Sequence, residues 1–185
     1  TRVIEHGVAD TGARWAPEVR RAAVVVNEPV RRGRVVGADL VPRVAGAVPV
    51  DLFGIGVEHL DAAVPRTSAC GDLAHDALLT ELSRRAVYVH PFRWTSLGLS
   101  LLEAMTLGMP VAALATTEAA RAVPPEAGVV TTDVDELVRG ARDLVEEPER
   151  AALCGKAARD HALARYGLSR FLADWDELLT EVAGS

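Results

Sequence analysis

Short apolar runs alternate along the chain with longer stretches in which apolar positions recur every three or four residues. The apolar runs are rich in valine and predict five strands, at 22–27, 48–53, 86–90, 111–114 and 128–131. The longer stretches predict helices at 35–45, 72–84, 97–107 and 118–122. Because strands that are apolar throughout are buried on both faces, this pattern favours an α/β fold with a doubly wound, Rossmann-like parallel sheet.

The last part of the chain has a wholly helical pattern. It predicts three helices that begin near Asp133, Pro148 and Ser169, with Asp133 as a capping residue. These helices form a C-terminal tail on one domain, which is predicted to span residues 21–185. Residues 1–20 are rich in glycine and polar positions and are predicted to be a connecting segment outside the core.

Composition narrows the class of protein. The chain has 185 residues, of which 49% are hydrophobic and 25% charged, enough to build one domain with a core. The net charge of -6 and the scattered basic residues argue against a nucleic-acid partner. No apolar run approaches the roughly 20 residues that span a bilayer, although this leaves peripheral membrane contact open. Cys70 and Cys154 lie far apart in sequence, which is typical of reduced thiols and favours a cytoplasmic location.

The loop after the predicted strand 86–90 leads directly into a helix. In open parallel sheets, ligands bind outside the carboxyl ends of the strands, so this loop is a candidate site. Where the helix begins, near Leu97, unpaired backbone N–H groups and the helix dipole favour an anion such as a diphosphate. Gly98 lets a ligand approach the backbone closely, and the adjoining residues Thr95, Ser96 and Leu99 are predicted to contact the same ligand.

Glu103 is an acidic residue in an otherwise apolar helix. Thr95, Leu99 and Glu103 are spaced by four, so they align on one edge of the helix, and helical side chains lean toward the N-terminus. A carboxylate between leucines is costly to bury unless it is hydrogen-bonded, and the two hydroxyls of a ribose would suit its two acceptor oxygens. The alternative is a solvated carboxylate or one paired with a nearby arginine.

A second candidate is the turn at residues 27–34, NEPVRRGR, which follows the first predicted strand. The guanidinium groups of Arg31 and Arg32 match the geometry of phosphate oxygens, and Gly33 frees the backbone beside them. Arg34 is expected to be a bystander. The alternative is a solvated surface turn. The five histidines show no metal-ligand spacing and are interpreted as structural, with His90 at a strand's carboxyl end as the exception, and no metal site is predicted.

Residues 91–111, PFRWTSLGLSLLEAMTLGMPV, resemble the P-S-x-x-E-G-F-G-L-x-x-x-E-A-M-x-x-G-x-P-V motif of group 1 retaining glycosyltransferases with the GT-B architecture. The resemblance covers nearly the whole chain and is to the C-terminal, nucleotide-sugar-binding half. It implies that Glu103 is the family's second glutamate, which contacts the ribose. Thr95 stands where the family has its first glutamate, beside the transferred sugar. Arg32 and Gly33 resemble the Lys-Gly of a diphosphate-binding element.

The resemblance implies a function, which is transfer of a sugar from a nucleoside diphosphate to an acceptor that the sequence does not identify. Residues 3–8 resemble the crossover between the two GT-B halves and look like the end of a strand. We therefore expect an N-terminal acceptor-binding domain of the same polypeptide to be missing, and the isolated fragment to be inactive. The donor is a substrate and no cofactor is predicted. No residue is assigned as catalytic. The alternatives are a non-catalytic nucleotide-binding or protein-binding module of the same fold and a nucleotide-sugar 2-epimerase.

Overall fold

A computed structural model describes residues 2–184, and these form a six-stranded parallel sheet with helices on both faces. The strands, in the spatial order β3-β2-β1-β4-β5-β6, are β1 (Val19–Val25), β2 (Val50–Phe53), β3 (Thr67–Gly71), β4 (Arg85–His90), β5 (Val111–Leu114) and β6 (Gly128–Thr131). Every pairing within this sheet is parallel. The prediction of a doubly wound, Rossmann-like sheet is confirmed.

Nine α-helices connect the strands or follow them in the described part of the chain. They are α1 (Pro29–Arg32), α2 (Val41–Ala47), α3 (Glu58–Asp61), α4 (His75–Ser83), α5 (Leu99–Leu107), α6 (Ala119–Ala122), α7 (Val134–Glu146), α8 (Pro148–Tyr166) and α9 (Leu168–Ala183). One core lies under α2 and α7, and a second lies under α4, α5 and α8 on the opposite face. Neighbouring positions on β1 alternate between them, with Val24 in the first core and Ala23 in the second.

The sequence does not predict the short helices α1 and α3, and two larger differences concern β3 and the helix predicted at 35–45. The pattern misses β3, because TSACG is a half-buried edge strand without the valine-rich signature of the central strands. The helix predicted at 35–45 is broken into two 3-10 turns and the shorter α2. The break falls at Gly37, which has a φ of 71° and packs against the backbone of Pro91. A side chain at Gly37 would strike that carbonyl, so the chain bends there.

The segment before β1 runs across the surface of the domain. Val8 forms an isolated bridge with Gly167, and the Trp15 indole N–H donates to the carbonyl of Arg85 at 2.7 Å. Residues 3–7, which look like the end of a strand in the sequence, have no regular secondary structure here. β1 begins at Val19, three residues earlier than predicted.

A buried ion network crosses the sheet beneath α4. Asp51 on β2 is 4% exposed and accepts hydrogen bonds from Arg21 on β1 and from Nε of Arg85 on β4, the latter at 2.9 Å. Arg85 also donates to Glu81 of α4 at 2.5 Å. Because each buried charge has opposite-sign partners, the network links three strands and α4 without an unpaired ion.

Helix α8 comes close to the backbone at the C-terminal end of α5. Gly155 of α8 lies against the carbonyl oxygen of Gly108, the residue that ends α5. Arg159, one turn later on α8, donates to the carbonyl of Thr106. The backbone of the loop after α5 is therefore in direct contact with α8.

Both cysteines are free thiols, and Asp133 caps α7 as predicted, accepting from the Asp135 N–H at 2.7 Å. Over residues 2–184, no helix combines the length and apolar character that crossing a bilayer requires.

Candidate functional site

The loops that follow β1, β2 and β4 are joined at the carboxyl edge of the sheet. The Asn27 side chain accepts from the Ile55 N–H at 3.0 Å, which ties the β1 loop to the β2 loop. The N–H groups of Arg93 and Trp94 both donate to the carbonyl of Val35, at 3.1 and 3.2 Å. The two predicted site regions, residues 27–34 and the loop before α5, therefore lie on one edge and are connected through residues 35–37.

The N-terminus of α5 has no side-chain cap. Gly98 occupies the N-cap position with extended backbone angles and has no side chain to act as a cap. The helix begins at Leu99 rather than at the predicted Leu97. Leu99 is 52% exposed. Because the first N–H groups of a helix have no partners within it, these donors and the helix dipole are available to an anion.

His90 lies directly beneath this N-terminus. Its ring is 1% exposed and stacks on Phe92 with 4.7 Å between ring centroids, and neither ring nitrogen has a partner within residues 2–184. Burial lowers the pKa of His90 to about 4, so the ring is neutral near pH 7. A Cβ on Gly98 would come within 2.8 Å of the ring, so only glycine fits between His90 and the surface.

Glu103 lies in the middle of α5 and faces α4. Its carboxylate is 17% exposed, and the Nε2–H of His75 donates to Oε1 at 2.8 Å. This is the one hydrogen bond of that carboxylate within residues 2–184. An arginine is one of the alternative partners predicted for Glu103 from the sequence. In the structure the partner is instead a histidine at the start of α4. Both side chains line a cavity of 150 Å³ whose outer wall is formed by residues 7–13.

The three arginines of the 27–34 turn differ in their surroundings. Arg31 is exposed and forms a salt bridge with Glu28, which raises the pKa of Arg31 and lowers that of Glu28. Arg32 is partly buried, and within residues 2–184 its side chain makes no hydrogen bond or close ion pair, although its charge helps to lower the pKa of Glu28. Arg34 is exposed, and its carbonyl accepts from Arg93. Of the two predicted phosphate contacts, Arg32 is therefore the one whose guanidinium is not held in a salt bridge within residues 2–184.

The other predicted positions lie in the loop before α5. Thr95 is half-buried, and Ser96 is exposed and lines a second cavity, of 360 Å³, with Glu5 and Arg121. Neither hydroxyl has a hydrogen-bond partner in the described part of the chain. No three His, Cys, Asp or Glu side chains among residues 2–184 converge in a way that could hold a metal ion.

A family model described as "Glycosyl transferases group 1" matches residues 66–161, just over half of the chain. The chain belongs to the group 1 glycosyltransferases. The match begins just before β3 and continues to within α8, so it includes His75, Gly98 and Glu103. The predicted family resemblance is confirmed.

A known glycosyltransferase resembles part of the chain in sequence, and solved structures resemble it in fold. The chain is 38% identical over 100 residues to 2-deoxystreptamine N-acetyl-D-glucosaminyltransferase of Streptomyces fradiae, a match that covers 52% of this chain and 24% of the relative. Sucrose-phosphate synthase from Thermosynechococcus elongatus superposes with a TM-score of 0.82 and 20% identity over 100% of this chain and 53% of that one. Anabaena HepE, solved with UDP-glucose, gives a TM-score of 0.78 and 16% identity over 97% of this chain and 57% of that one. The chain thus has the fold of the C-terminal half of a GT-B glycosyltransferase and spans about half of its structural neighbours.

Proposed function

We propose that this domain binds the nucleoside-diphosphate sugar donor for a retaining sugar transfer. The observation that carries the proposal is that one helix, α5, presents an uncapped N-terminus at Gly98 and a shielded carboxylate at Glu103. Five residues of helix separate the two groups by about 7 Å along the axis. That spacing suits a nucleotide whose diphosphate contacts the N-terminus while its ribose contacts the carboxylate.

The chemistry expected at this edge is electrostatic. As the bond between sugar and diphosphate breaks, negative charge develops on the departing phosphate oxygens. On this proposal, the N–H groups at the start of α5 and the guanidinium of Arg32 stabilise that charge. The proposal requires no metal or cofactor. It places the transferred sugar near Thr95 and Ser96.

We further propose that an N-terminal half of the same polypeptide supplies the acceptor site. The helix α9 has no buried residue and exposes one apolar stripe, made of Leu168, Leu172, Trp175, Leu179 and Val182. These positions repeat every three or four residues, so they lie on one face. An exposed stripe of this length is typical of a surface that another domain covers. On this proposal the isolated chain binds donor but transfers no sugar.

The proposal is tested by calorimetry with UDP-N-acetylglucosamine, UDP-glucose, UDP and the corresponding GDP and ADP compounds. At least one is expected to bind, and Glu103→Gln should weaken that binding by about 1–3 kcal/mol, as for loss of a charged hydrogen-bond partner. Glu149→Gln, on the exposed face of α8, is the matched control and should change nothing. Absence of binding by every nucleotide, or full transfer by this chain alone, would contradict the proposal.

Arg32→Ala is expected to weaken binding of a nucleoside diphosphate about tenfold, while binding of the bare nucleoside stays unchanged, because only the diphosphate offers oxygens to the guanidinium. Arg31→Ala should have a smaller effect, since Arg31 is already paired with Glu28. Arg34→Ala is the local control. Equal losses for nucleoside and diphosphate in Arg32→Ala would show that the turn is an ordinary solvated surface.

A non-catalytic binding module is the second candidate, and Thr95 favours it. The resemblance places the family's first glutamate there, and a threonine cannot supply its negative charge. A module would bind the donor without consuming it. Release of free nucleoside diphosphate from labelled donor by the full-length protein separates the two functions.

A further inference from the structure

Glu103 and His75 come from different helices and meet inside the first cavity. Leu79 of α4 lies one turn after His75, and Leu99 of α5 lies one turn before Glu103, and both leucines line the same cavity. The polar pair is therefore framed by apolar side chains on both helices. Because Oε1 of Glu103 accepts from His75, Oε2 is the oxygen left for a ligand.

The charges around this cavity favour a neutral ligand group over an anion. Its lining contains no lysine or arginine, while two carboxylates, Glu103 and Asp10, face it. Asp10 is neutralised by Arg159, and Asp76 lies 3.9 Å from Nδ1 of His75 on the side away from Glu103 Oε1. A phosphate would be repelled here, whereas a pair of hydroxyl groups can donate to a carboxylate oxygen.

We infer that His75 is a positioning residue of the donor site, an inference that rests on the proposed function. His75 holds the Glu103 carboxylate so that Oε2 receives the ribose hydroxyls. An ionised carboxylate only accepts, so the contact requires the proton on Nε2 of His75. His75 is also the first residue of α4, so the contact ties the middle of α5 to the start of α4. Without His75, the carboxylate is free to rotate among several rotamers and to turn away from the ligand.

The test uses nucleotides that differ only in the ribose hydroxyls. Calorimetry compares UDP, GDP and ADP, whichever binds, with the same nucleotide lacking its 2′ and 3′ hydroxyls. His75→Ala is expected to weaken binding of the hydroxylated nucleotide about tenfold and to leave the dideoxy form unchanged, so that discrimination between them is lost. His75→Gln, which keeps a donor, should recover part of the discrimination. His59→Ala, an exposed histidine on α3, is the matched control.

Three results would overturn the inference. Equal weakening of both ligands by His75→Ala would mean that the residue acts through the base or phosphate. Unchanged discrimination with a lower melting temperature would mean that it serves only to hold α4 and α5 together. Failure of the wild-type protein to bind any nucleotide would overturn the proposed function as well. The titration of the wild-type protein separates this result from the other two, because both of those require that the wild-type protein binds.

Discussion

Asp51→Ala is expected to destabilise the fold by about 3–5 kcal/mol, because removing one partner of a buried ion pair leaves its opposite charge uncompensated. Asp51 joins Arg21 and Arg85 across three strands, and the side chains of Arg85 and Asp51 are only 10% and 5% exposed. Glu81 retains one contact with Arg85, so the loss should fall short of complete unfolding. Urea denaturation followed by circular dichroism measures the change in the free energy of unfolding.

Asp160→Ala supplies the matched control for this experiment. Asp160 pairs with Lys156 on the outer face of α8, where both side chains are mostly exposed, and such pairs contribute about 0.3–0.5 kcal/mol. If Asp51→Ala costs no more than Asp160→Ala, the buried network does not stabilise the sheet. Asp51→Asn, which keeps the shape but not the charge, should fall between the two.

On the proposed function, Gly98→Ala is expected to lower the rate of sugar transfer about a hundredfold when this domain is joined to its proposed N-terminal half. The added Cβ would come within 2.8 Å of the His90 ring, which is packed against Tyr88 on β4 and Phe92 in the following loop, so the start of α5 has to shift outward. A displacement of about 1 Å at a reacting group is enough to cost a factor of this size. The backbone angles of Gly98 suit alanine, so the effect comes from the contact rather than from strain. Steady-state kinetics with labelled donor measure it.

The double variant His90→Ala/Gly98→Ala should recover much of the lost rate, because removing the ring restores the space beneath residue 98. Gly46→Ala is the control for a glycine substitution as such. Gly46 lies within α2 with no atom near the position of a Cβ, so alanine there should stabilise the helix by up to about 1 kcal/mol. A Gly98→Ala enzyme with the wild-type rate would show that the position of the α5 N-terminus does not limit transfer.

The sequence predicts the central sheet well because its strands are short, mostly apolar segments in which valine recurs. It predicts β3 poorly, since an edge strand that is half-buried carries serine, cysteine and glycine, and the period of two is lost. The break in the helix predicted at 35–45 is also not evident from the local sequence. Its interruption at Gly37 depends on the close approach of Pro91, a contact between residues far apart in the chain.

The residues of the candidate site can also be predicted from the sequence only in part. Glu103 is visible in the sequence as a lone carboxylate among leucines, and Gly98 as a glycine before a helix. His75 is not visible, because its role depends on a contact with a residue 28 positions away on another helix. The distinction between Arg31 and Arg32 also needs the structure, since it depends on which arginine Glu28, a residue with a φ of 53°, pairs with.

The contact of Gly155 with Gly108 has a practical consequence for changing the donor that such a protein accepts. Gly155 of α8 lies directly against the backbone of Gly108 at the end of α5. For this reason α5 cannot tilt to admit a larger nucleotide sugar unless α8 moves with it. The same helix carries Gly98 and Glu103, so both proposed donor contacts are fixed to a rigid pair of helices. Mutant libraries intended to alter donor choice should therefore vary the loop at 91–97 and the wall at 7–13, and keep the α5–α8 scaffold intact.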